Sequence, residues 1–106
     1  MKTDEYALVT TTTATQAESE KIARALLAKK LAACVQITQV KSFFSWKNAL
    51  NVETEELLLI KCKCADYAEI EECIQENHPY ETPEIVQLPI SGGSPAYLEW
   101  ISQVTR

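Results

Sequence analysis

The chain has 106 residues, one domain's worth of polypeptide. Its 46% hydrophobic and 24% charged residues are those of an ordinary globular protein, which sets aside disordered and coiled-coil readings. Ten basic against fifteen acidic residues leave a net charge of −5, the opposite of the basic stripe that nucleic-acid binding needs.

No apolar run approaches the roughly 18 residues of a membrane span, and the first ten residues contain no apolar signal-peptide core. The sequence therefore predicts a cytoplasmic protein with no membrane partner. The charge is also uneven: residues 1–50 carry seven basic and four acidic groups, residues 51–106 three and eleven. An acidic second half suits either a cationic partner or a solvated acidic helix face. Only two glycines occur, Gly92 and Gly93, so phosphate-cradling loops of the P-loop and Rossmann kinds are absent.

Alternation of Tyr6, Leu8 and Thr10 with Ala7 and Val9 predicts a first strand over about residues 5–11. Thr15-Gln-Ala-Glu18 has capping-box spacing, and Ile22, Ala23, Leu26 and Leu27 follow at helical spacing, predicting a helix over 16–30. Residues 33–47 read as a long second strand, Asn48–Asn51 as a turn, and 52–64 as a third strand with the apolar run Leu57–Ile60. Asp66-Tyr-Ala-Glu69 reads as the cap of a second helix with Tyr67, Ile70 and Ile74 on one face. Pro79 and Pro83 bracket a stiff loop, and Ile85–Ile90 predict a fourth strand that Pro89 assigns to a sheet edge. Ser94-Pro95 starts a last helix carrying Tyr97, Leu98, Trp100 and Ile101. The order βαββαβ-α is that of a ferredoxin-like α+β fold with one added helix, a single domain over 1–106.

The second and third strands are too long for such a domain. At roughly 3.3 Å per residue their hairpin spans about 43–50 Å, whereas a domain of this size has a radius of gyration of about 13 Å. The apolar parity also switches, from odd at Val35 and Ile37 to even at Val40, Phe44 and Trp46. Either a bulge intervenes or the distal half buries its other face. A two-stranded ribbon tipped with Phe43, Phe44 and Trp46 is unstable alone, so another subunit is the simplest cover.

His78-Pro-Tyr-Glu-Thr-Pro-Glu84 places the only histidine beside a phenol and two carboxylates. His78 reads as a metal ligand, an acid–base group, or part of a rigid loop that satisfies its own backbone. Cys34 and Cys73 offer thiolates which, with an imidazole, suit copper or zinc, or else serve as small buried hydrophobes. Without a secretory signal all four cysteines read as thiols. Lys61, inside an apolar strand, needs a partner such as Glu55, Glu81 or Glu84, or an anionic ligand. One histidine and no G-x-S-x-G motif argue against a hydrolase, and the chain is read as non-enzymatic.

Leu31-Ala-Ala-Cys-Val-Gln-Ile37, Ser42-Phe-Phe-Ser-Trp-Lys47, Glu55–Lys61, His78-Pro-Tyr-Glu-Thr-Pro-Glu-Ile85 and Tyr97-Leu-Glu-Trp-Ile101 together resemble the CutA family of divalent-cation tolerance proteins. The resemblance covers about residues 6–104. It implies a trimer interlocked through long hairpins, similar to PII signalling proteins, with a cytoplasmic role linked to copper and other divalent cations. The chain departs from the family pattern at Gln36, Phe44, Asn48 and Cys62.

Two functions follow as expectations. One is a cation-responsive homotrimer with no obligatory cofactor, binding copper or another divalent cation through Cys34, His78 and Cys73. Its intersubunit clefts are expected to be lined by Trp46, Lys61, His78, Tyr80, Glu81 and Trp100. The other is a PII-like regulator that binds a small anion or metabolite through Lys61.

Overall fold

A computed structural model describes residues 5–106. Eight residues, Tyr6–Thr13, form β1, longer than expected because Thr12 and Thr13 continue the ladder against Leu57 and Glu56. The capping box forms: Thr15 Oγ1 accepts from the Glu18 amide at 3.2 Å, and Glu18 Oε1 accepts from the Thr15 amide at 3.1 Å. Helix α1, Gln16–Ala28, stops two residues short of the expected end. Lys30 turns left-handed there (φ 56°), and the Leu31 amide folds back to the Leu26 carbonyl at 3.0 Å.

The long hairpin is β2, Ala32–Trp46, and β3, Ala49–Lys63, fifteen residues each. Its turn is Lys47-Asn48 rather than residues 48–51. Both turn residues have positive φ (51° and 61°), the mirror-image geometry whose twist matches paired strands. The only irregularity between the strands lies at Ala32/Cys34; beyond it pairing runs unbroken from Cys34↔Lys61 to Trp46↔Ala49. No bulge explains the parity switch, so the distal half of the ribbon presents its other face.

A 3-10 turn over Cys64–Asp66 leads into α2, Tyr67–Asn77. Asp66 makes no side-chain capping bond; its carboxylate turns instead to the Arg106 guanidinium at 3.4 Å. Arg106 also pairs with Glu69, and Lys63 donates to the Arg106 carbonyl. Strand β4, Val86–Pro89, pairs only with β1, which fits the edge placement that Pro89 predicts. Ser94 caps α3, Pro95–Val104, accepting from the Tyr97 amide at 3.3 Å.

The sheet is antiparallel in the order β2-β3-β1-β4, that of a split βαβ fold. Ala7 and Val9 on β1 and Leu58, Ile60 and Cys62 on β3 face α1 and α2, closing a core with Ile22, Leu26, Ile70 and Ile74. Helix α3 lies on the opposite face. Tyr6, one residue out of phase with Ala7, shares a 2.7 Å hydrogen bond with Ser102, and the Lys61 ammonium sits over the Tyr97 ring. The described chain measures 43 × 30 × 22 Å with a radius of gyration of 14.4 Å. Its long dimension matches the lower end of the hairpin length expected from strand rise.

Candidate functional site

Period-2 geometry builds the site. On β3, Glu53 and Glu55 point to the same face as Lys61, opposite the α1–α2 core. Their partners on β2 are Ser42 and Val40, and Phe44 and Trp46 continue that face toward the tip. Helix α3 covers only the end of this face near Lys61. The rest forms the floor of a cleft.

The other wall is the loop that follows α2. His78 Nε2 donates to the Thr12 carbonyl at 2.7 Å, and His78 Nδ1 accepts from the Tyr80 amide at 3.2 Å. Accepting at Nδ1 assigns the ring proton to Nε2, so both ring nitrogens are engaged in fixing the loop to β1. The two rings lie 4.7 Å apart. From that anchor, the Tyr80 hydroxyl reaches across to Glu55 Oε2 at 3.0 Å. Burial, followed by the hydrogen bond to Glu55 and its charge, pushes the Tyr80 phenol up to about 12. Glu84 accepts from the Thr10 hydroxyl at 2.8 Å, tying the loop down again past Pro83.

Between ribbon and loop lies a cleft of about 800 Å³. Phe44 and Trp46 wall one side, and Glu53, Glu55, Glu81 and Glu84 also line it. No lysine, arginine, histidine or cysteine lines it. Glu55 is only 8% exposed. Among the described residues, no cationic group lies within 4 Å of any of the four acids, since the ion pairs present involve Glu20, Asp66 and Glu69.

The expected site residues divide. Trp46, Tyr80 and Glu81 meet in this cleft, with His78 behind the loop. Lys61 and Trp100 lie elsewhere. Lys61 is six residues along β3 from Glu55, roughly 20 Å at strand rise. Its ammonium lies 5.4 Å from the Tyr97 ring centroid, and Trp100 stacks beside that ring at 5.5 Å. None of Glu55, Glu81 and Glu84 pairs with Lys61 among the described residues; its ammonium lies over the Tyr97 ring instead.

The expected metal ligands stand on separate elements. Cys34 sits on β2 opposite Lys61, on the α3 side of the sheet. Cys73, 1% exposed, packs in the core under α2, where burial pushes its thiol up. Among the described residues, no group of three or more His, Cys, Asp or Glu side chains is gathered so as to hold a metal ion. None of the four cysteines is in a disulfide. Sequence reasoning passed over Glu53 and Phe44 as cleft residues, although Glu53-Thr-Glu55 at i,i+2 spacing already sets two carboxylates on one face.

A family model described as CutA1 divalent ion tolerance protein matches residues 7–104. "Protein CutA homolog" of Xenopus laevis is 41% identical over 87 residues, covering 81% of this chain and 58% of the relative. "Protein CutA, chloroplastic" of Arabidopsis thaliana is 40% identical over 88 residues, covering 82% and 48%. The chain thus spans about half the length of these two relatives. The solved structure of the periplasmic divalent cation tolerance protein CutA from Archaeoglobus fulgidus superposes with a TM-score of 0.93 at 36% identity, covering 95% of this chain and 99% of that one.

Proposed function

Because the chain belongs to the CutA1 divalent ion tolerance family, we propose that it is a trimeric, non-enzymatic, cytoplasmic binding protein of cation tolerance that takes its ligand in the cleft beneath the ribbon. The observation that carries this reading is the cleft itself: about 800 Å³, within the size range of small-molecule sites, with four glutamates in its lining. Phe43, 65% exposed, and Leu50, 75% exposed, sit on the ribbon away from the core and support a cover from other copies. The open edges of β2 and β4, at opposite sides of one sheet, suit head-to-tail closure into a ring.

The divalent cation of the family description does not fit a thiolate–imidazole site within one subunit. Cys34, Cys73 and His78 are not gathered, and both His78 nitrogens are engaged. What the chain's residues do is clear from their bonds. His78 and Glu84 pin the loop, and Tyr80 orients Glu55. Calorimetry on the intact chain and on Glu55→Gln tests the reading. Cation binding that weakens at least tenfold in the variant supports it, and binding indifferent to Glu55 refutes it.

One observation favours the PII-like alternative: Lys61 carries no carboxylate partner among the described residues and sits in a half-buried place beside Cys34 and Tyr97. A panel of small anionic metabolites that bind the wild type but not Lys61→Met would favour it.

A further inference from the structure

We infer that the loop over residues 78–84 is a proton-operated gate on the cleft beneath the ribbon, closed while the His78 imidazole is neutral and released when the ring takes up a proton. This names the regulation of that cleft and rests on reading it as the binding site. The first observation is the pair of bonds at the ring. A backbone N–H can only donate, so the 3.2 Å bond from the Tyr80 amide requires a bare His78 Nδ1. A carbonyl can only accept, so the 2.7 Å bond to Thr12 requires a proton on Nε2. Two backbone groups thus select one tautomer of the neutral ring. A protonated imidazole carries N–H on both nitrogens. It keeps the Thr12 bond and sets its new Nδ1 proton against the Tyr80 amide proton, so the loop has to turn that amide away.

The second observation is where that amide leads. Tyr80 lines the cleft, its ring lies 4.7 Å from the imidazole, and its hydroxyl crosses to Glu55 Oε2 at 3.0 Å. Pro79, between the two rings in sequence, stiffens the segment, so a shift begun at His78 is carried to Tyr80. The loop's other tie, from the Thr10 hydroxyl to Glu84 at 2.8 Å, involves no group that ordinarily titrates between about pH 5 and 8, the range in which imidazoles change charge. The titratable groups at this corner are Tyr80 on the loop, Glu18 on α1, Glu53 and Glu55 on β3, and Cys73 and Glu76 on α2, with Lys29 just past the end of α1. The charges of Glu18, Glu53 and Glu55 reach Tyr80 and attract a positive ring, whereas the Tyr80 amide repels it. All the bonds of the device lie within one chain, so it is present whatever covers the ribbon.

The test is nuclear magnetic resonance on the full nitrogen-labelled chain with no ligand added. At about pH 8 the His78 nitrogens should show a proton on Nε2 alone, and the Tyr80 amide should be protected from hydrogen exchange. On acidification to about pH 5, that protection, corrected for the intrinsic exchange rate, should fall at least about tenfold, with the midpoint at which Nδ1 gains its proton. His78→Asn sets a carbonyl oxygen, which accepts and does not titrate, near the place of Nδ1, and should hold the Tyr80 amide equally at both pH values. Protection that persists in the wild type after Nδ1 is protonated would overturn the gate, and so would a fall of the same size in His78→Asn. If His78→Asn loses its far-UV circular dichroism, the wild-type nitrogens decide: a proton on Nδ1 at about pH 8 overturns the gate without any variant. Failure of the gate leaves the cleft to its own test with Glu55→Gln. Cation binding indifferent to Glu55, with the exchange result as expected, would overturn the gate's role at a binding site while the loop still responds to protons.

Discussion

The two halves of one hairpin differ in what covers them. Near the base, Leu58, Ile60 and Cys62 are fully buried under α1 and α2. Toward the tip, the same two strands in the same unbroken register expose Phe43, Leu50 and Val52. Pairing is continuous through both halves. The difference shows that a β-ribbon of this length is specified locally but stabilised only where another layer arrives. The covered half is core, and the bare half is the part left open for the ligand and partner copies of the proposed function.

The largest effect expected from breaking this contrast is in the covered half. Ile60→Ala removes buried methyl and methylene groups and leaves a cavity, so urea unfolding should show a loss of about 2–5 kcal/mol. Tyr80→Phe, on the loop that faces the ribbon, takes from buried Glu55 the only side-chain hydrogen-bond donor it has among the described residues. It should cost about 1–3 kcal/mol, and its effect should shrink when a cationic ligand saturates the cleft.

Alkaline pH sharpens the comparison, because an acid in the covered half and one on the loop that faces the ribbon both keep their protons unusually tightly. Burial pushes the Cys62 thiol up to about 12 in the covered half, with the nearby Cys64 and Asp66 adding to it; on the loop, burial and the bond to Glu55 raise Tyr80 to about 12. Unfolding returns these groups to ordinary values near 9 and 10. A proton bound more tightly in the folded state contributes stability below the unfolded pKa and loses it as pH climbs toward the folded one. Denaturant midpoints should therefore be flat up to about pH 9 and fall between 9 and 12. Cys62→Ala should flatten the start of that fall and Tyr80→Phe the part above pH 10.

The smallest effect concerns Thr11, whose buried hydroxyl has no hydrogen-bond partner among the described residues. Thr11→Val keeps the shape and removes an unsatisfied group, so it should raise stability by about 1 kcal/mol in thermal melts.

Much of this contrast was legible in the residues. Thr15 with Glu18, Ser94 before Pro95, and Pro89 at an edge each acted locally, and each local rule held. The hairpin's excess length and its parity switch announced a second half unlike the first. The misses have long-range causes. Asp66 stood ready to cap α2, but Arg106, forty residues away, claims its carboxylate. Lys30 and Lys47 accept left-handed backbone where a glycine or asparagine would have advertised it. Lys61 and Glu55 share one strand face, and only the position of α3 and of the 78–84 loop separates them into two places. Residue types near His78 suggested ligation, while the Thr12 carbonyl and Tyr80 amide that occupy its nitrogens come from backbone, which leaves no mark in a sequence.

If other copies of the chain cover the bare half of the ribbon, sedimentation equilibrium at micromolar concentration should show a species of about three times 11.9 kDa that dissociates in Leu50→Asp. A folded wild-type species of 11.9 kDa under the same conditions would rule that cover out.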